Sequence, residues 1–114
     1  MADNNTLNRY IEQEINGKIV RLQYTIRSLV MCEKMLDSKS ILRTIADPPL
    51  SYNDSYILFY AALVGGDKNM TETRAEELML DYLDEHNLGE LQDLVLEALI
   101  ASGTLGKIGS NEKN

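Results

Sequence analysis

Asn16-Gly17 restricts this chain more than any other pair of residues in it. It separates Tyr10-Ile11-Glu12-Gln13-Glu14-Ile15 from Lys18-Ile19-Val20-Arg21-Leu22-Gln23-Tyr24. Both turn residues tolerate positive φ, which a two-residue type I′ hairpin turn demands. The turn then sets the register: Ile15 opposite Lys18, Gln13 opposite Val20 and Ile11 opposite Leu22, with Tyr24 on the same face. Glu12 with Arg21 and Glu14 with Ile19 make the other, solvated face. An isolated hairpin is marginal in water, so its apolar face needs a helix or another chain.

A train of short amphipathic helices follows. Thr25 caps a helix to about Leu36, with Ile26, Leu29, Val30, Glu33 and Leu36 near one inward stripe. Ser38 or Ser40 caps a second, Ile41 to Ala46, which Asp47-Pro48-Pro49 ends. Ser51 or Asn53 opens a third that runs through Val64. Its stretch from Tyr56 to Val64 is apolar nearly all round, so this helix is expected at the centre, anchored by Tyr56, Phe59, Tyr60 and Leu63. Gly65-Gly66-Asp67 is expected to break it. Thr71 caps a fourth helix whose stripe is Ala75, Leu78, Met79, Tyr82 and Leu83. Leu88-Gly89 reads as a turn. A fifth helix spans Glu90 to Ser102, with Leu91, Leu94, Val95, Ala98 and Leu99 inward and Gly103 as its stop.

The expected fold is therefore α+β and mainly helical: an N-terminal β-hairpin, then about five short helices. At 114 residues the chain argues for one globular domain, placed at 9–103. A disordered N-terminus over 1–8 and a flexible tail over 104–114 are expected to flank it. One cysteine, Cys32, excludes an intramolecular disulfide and fits a reducing compartment. Neither a signal peptide nor a membrane span is legible, which suggests a soluble cytoplasmic protein. The net charge is −7, unevenly spread: +2 on residues 1–46 and −10 on residues 47–106. An acidic second half repels phosphate backbones and argues against nucleic acid as a partner. The asymmetry either serves solubility alone or favours head-to-tail contact between copies, a mildly basic hairpin face meeting an acidic helical face.

No cluster of residues supports a reaction, a metal or a cofactor, so neither catalytic nor metal residues are assigned. His86 is the only histidine, and Glu90, its i+4 neighbour, lies beyond the expected break at Gly89. Asp67-Lys68-Asn69-Met70-Thr71-Glu72-Thr73 echoes a calcium loop only faintly. It has Glu72 where that loop needs Gly, and Leu78 where it needs Glu. Cys32, between Met31 and Glu33 in a helix stripe, reads as a structural thiol. Gly65-Gly66 lacks the Lys-Ser/Thr that a phosphate-binding loop carries after its glycines. What remains is surface. Tyr10, Ile11, Ile19, Arg21, Tyr24 and Tyr52, with Asp81 and Glu85 on the acidic helix, are the candidate interface residues.

Five stretches carry a resemblance: Ile15 to Arg27, Leu29 to Glu33, Tyr60-Ala61-Ala62-Leu63, Thr71-Glu72, and Glu97 to Gly103. Together, over about residues 10 to 106, they resemble tail assembly chaperones of long-tailed phages and prophages of Gram-positive bacteria. The resemblance rests on element order and scattered apolar positions rather than on a diagnostic motif. Where the family often has a small residue and Gly after the third helix, this chain has Val64-Gly65-Gly66.

That resemblance implies a non-enzymatic protein that self-associates and coats the tape measure protein during tail assembly. It implies location in the cytoplasm of the bacterial host and absence from the mature virion. It also implies a longer, frameshifted form that recruits the tail tube protein. An exposed hairpin edge, apolar helix faces and opposite charges at the two ends fit that reading. Met31, Met35, Met70 and Met79 could supply adaptable apolar grooves, although core filling suits each of them better. The alternative is a small acidic adaptor or inhibitor docking on one folded protein. Self-association separates the two.

Overall fold

The computed structural model describes residues 9–103. The expected disordered N-terminus and flexible tail lie outside the described residues. An antiparallel hairpin of β1 (Ile11–Ile15) and β2 (Lys18–Leu22) leads into five helices: α1 (Ile26–Met35), α2 (Ile41–Ile45), α3 (Tyr52–Gly66), α4 (Glu72–Glu85) and α5 (Leu88–Ala101). The fold is α+β and mainly helical.

Asn16 and Gly17 have φ of 52° and 80°, and the strands pair in the register that such a turn dictates, from Ile11↔Leu22 to Ile15↔Lys18. Ile15, Leu22 and Tyr24 are buried, while Ile11, Gln13 and Val20 are half-buried on the same face. The opposite face is solvated.

Helix α3 is the hub, and β2, α1, α4 and α5 all pack on it. Ser51 caps it by accepting from the Asp54 amide at 2.9 Å. Ile57, Leu58, Phe59, Ala61, Ala62 and Leu63 are buried around most of its circumference. Each large side chain there contributes about 1.5–3 kcal/mol on leaving water. Tyr56 and Tyr60, expected as core anchors beside Phe59 and Leu63, are only half-buried. Their rings stack at 5.9 Å on the flank of the helix.

Three further expectations change. Helix α3 does not break at Gly65-Gly66 but runs through both. A Cβ on Gly65 would fall on the Gln23 carbonyl oxygen, and one on Gly66 on that of Arg21. The two glycines thus form a slot in which the end of β2 lies against the helix. The Gln23 amide also donates to the Ala62 carbonyl at 3.0 Å.

Helix α1 is rotated from its expected stripe. Ser28, Cys32 and Leu36 are buried, whereas Ile26 is 78% exposed and Val30 49%. Small residues turned inward let the two helices approach closely, and the Ser28 hydroxyl lies near Gly65. Ser28 tolerates burial because its hydroxyl accepts from the Thr25 amide at 2.9 Å within a capping box. Glu33, expected inward, instead accepts from the Ile41 amide at 2.9 Å and so holds the start of α2.

Finally, Leu88-Gly89 is not a turn but the first turn of α5. Asn87 and Glu90 form a capping box there, and Gly89 costs little in a helix's opening turn.

Candidate interaction surfaces

The hairpin places Ile19 outward at 66% exposure. Arg21 lies over the Tyr10 ring at 4.0 Å from its centroid, a cation–π contact. Ile11 is half-buried on the other face of the hairpin, opposite Leu22. Tyr24 does not belong with this group. It is 5% exposed, and its hydroxyl donates to the Leu58 carbonyl at 2.6 Å in the interior. The strand alternation that carries Leu22 inward carries Tyr24 inward with it. Tyr52, 65% exposed in the first turn of α3, stands on a different element from the hairpin group.

Helix α4 turns Glu76, Glu77, Asp84 and Glu85 to solvent, while Arg74 pairs with Glu77 at 3.5 Å. Asp81 is half-buried and accepts from the Asn16 side chain at 3.4 Å, so it links the hairpin turn to α4. The hairpin's outer face carries Glu12 and Glu14 with Ile19 and Arg21, while Lys18 pairs with Ile15 on the other face. That face is acidic on balance rather than basic, contrary to expectation, because the alternation puts two glutamates on it against Arg21 alone.

Sequence reasoning missed the most apolar parts of the surface. Ile26 and Val30 on α1, Leu80 on α4, and Leu96 and Ile100 on α5 are all exposed. Leu80, Leu96 and Ile100 were findable as leucines and isoleucines lying off an otherwise complete inward stripe. Ile26 and Val30 were hidden, because the same residues make a plausible inward stripe.

Groups that could do chemistry are engaged in structure. His86 stacks on Tyr82 at 4.1 Å, and its Nδ1 is 3.5 Å from Glu90 Oε1. The sequence placed Glu90 out of reach, but α4 and α5 meet tightly enough at Asn87 to bring it close. Cys32 is fully buried, and burial first, then the neighbouring Glu33 charge, pushes its thiol up to about 12. A thiol held neutral in this way is a poor nucleophile. In the Asp67–Thr73 segment, Asp67 accepts from the Asn69 amide at 2.9 Å, and Thr71 caps α4. Among the described residues no group of three or more His, Cys, Asp or Glu side chains is placed to hold a metal ion. No helix among them is long and apolar enough to cross a membrane.

Compared with known proteins, the chain matches no family model, no curated protein and no solved structure.

Proposed function

We propose that this chain is a non-enzymatic, self-associating assembly chaperone that coats the tape measure protein during tail morphogenesis of a long-tailed phage or prophage. It would act in the cytoplasm of the bacterial host and leave before the virion matures. A longer frameshifted form would contact the tail tube protein. The resemblance of residues 10 to 106 motivates this reading.

One structural observation supports it most: exposed apolar side chains are spread over three helices, at Ile26 and Val30, at Leu80, and at Leu96 and Ile100. A coat subunit touches two neighbouring copies and its client, so it needs several such faces. An adaptor that docks once on a folded protein would gather them into one patch.

Co-expression tests the proposal. The probe is a tape measure protein from a long-tailed phage of a Gram-positive bacterium, insoluble when made alone. It should become soluble and co-purify with many copies of this chain per client. A client that stays insoluble, beside a chain that remains monomeric at high concentration, would refute the coat and promote the adaptor. Genetic context gives an independent check: a very long helical open reading frame is expected just downstream.

A further inference from the structure

We infer that the outer face of α1 in one copy docks on the outer face of α4 in the next. The inference rests on the coat reading for its biological meaning, but its argument is local. On α1, Ile26 and Val30 lie one turn apart and exposed, flanked on the same side by Arg27 and Lys34. Among the described residues neither base makes an ion pair. On α4, Leu80 is 70% exposed, with Glu76 one turn before it and Asp84 one turn after. One face sets Val30 between two positive charges with Ile26 beside the first of them, and the other sets Leu80 between two negative ones. Two such helices laid side by side bury Ile26, Val30 and Leu80 together and bring each acid to a base.

The occupant is thus a second copy of this chain, because the complement of the α1 face is present on the same molecule. Each helix packs on α3 by its other side, which leaves both outer faces free in one copy. The contact joins unlike surfaces, so every copy added offers a fresh α1 and a fresh α4, and growth continues unless the geometry closes a ring. A few apolar side chains make a weak joint. A weak joint suits an assembly that must later be displaced.

Paired charge reversal tests this. Arg27→Glu with Lys34→Glu gives a chain acidic on both faces, and Glu76→Lys with Asp84→Lys gives one basic on both. All four positions are away from the core, so circular dichroism and melting should match the unmodified protein. Sedimentation velocity of the full chain should show concentration-dependent association. Each double variant alone should associate roughly tenfold more weakly or worse, through like-charge repulsion. An equimolar mixture should recover association, because acidic α1 then meets basic α4 and acidic α4 meets basic α1.

Variants that associate like the unmodified chain, or a mixture that stays apart, would overturn the inference while leaving the coat reading in place. Variants that keep self-association but no longer hold the co-expressed tape measure protein would also overturn it, and would assign the α1 face to the client. An unmodified chain that never associates would overturn the inference and self-association together. Loss and recovery in the mixture, with no hold on the tape measure protein, would uphold the interface and refute the coat.

Discussion

Tyr24 and Leu58 join the hairpin to the centre of the fold: the Tyr24 hydroxyl donates to the Leu58 carbonyl at 2.6 Å, wholly inside the protein. Tyr24→Phe keeps the ring and removes only this bond. The carbonyl retains its own helical partner, so no acceptor is stranded. The expected cost is about 1 kcal/mol, read as a drop of about 4–8 °C in melting temperature. An unchanged or raised melting temperature would mean that the hydroxyl contributes no net stability.

Gly65 and Gly89 both sit in helices and are expected to respond oppositely to alanine. At Gly65 the added methyl would meet the Gln23 backbone, which its amide's bond to the Ala62 carbonyl holds in place, so Gly65→Ala must push the end of β2 away and should cost several kcal/mol. At Gly89 the nearest atom is the Asn87 side-chain oxygen at 3.4 Å, an ordinary contact. Gly89→Ala should therefore gain only a few tenths of a kcal/mol, since the opening turn feels little of the helix-propensity difference. Urea unfolding of the two variants side by side decides the matter. Equal effects would contradict the slot.

Stability should fall in strong alkali. Burial raises the Tyr24 hydroxyl well above its ordinary value of 10.0, with a smaller contribution from Cys32, and the Cys32 thiol is itself pushed up to about 12. Below the unfolded thiol's ordinary value of 9.0 both groups are neutral in both states, and their contribution is flat. Above it the unfolded chain releases protons that the folded chain retains, which favours unfolding. The loss begins near pH 9 with Cys32, Tyr24 joins from about pH 10, and each adds about 1.4 kcal/mol per pH unit. Cys32→Ala should flatten the first part of this fall. The same slope in both proteins between pH 9 and 10 would acquit the thiol.

Gly17→Val places a β-branched residue at φ near 80° in the hairpin turn. The strain should cost on the order of 1–2 kcal/mol. A chemical-denaturation midpoint that does not move would show that the turn relaxes without effort.

Local chemistry made much of the fold legible. Asn16-Gly17 disclosed the hairpin and its register, and Thr25 and Thr71 announced their helices. The inward stripes of α4 and α5 followed from spacing, and α5's five named residues are all buried. What escaped was decided between elements. Nothing local distinguishes Gly65-Gly66 as a stop from the same pair as a slot, since the difference lies in a strand some 40 residues earlier in the chain. Close packing of α1 on α3 favours Ser28 over Ile26 at the contact, against hydropathy. Residue type puts Tyr24 at the surface, whereas the strand alternation points it inward, and the alternation prevails.

Ser102 accepts from the Tyr24 amide at 2.9 Å, and its hydroxyl lies 3.3 Å from the Arg9 carbonyl. The segment that leads into β1 is therefore fastened by a residue made 93 positions later. At about 5–20 residues per second, the nascent hairpin waits for several seconds with its apolar face uncovered. During synthesis the hairpin therefore needs shelter until α3 is made, and the end of α5 fastens it later still.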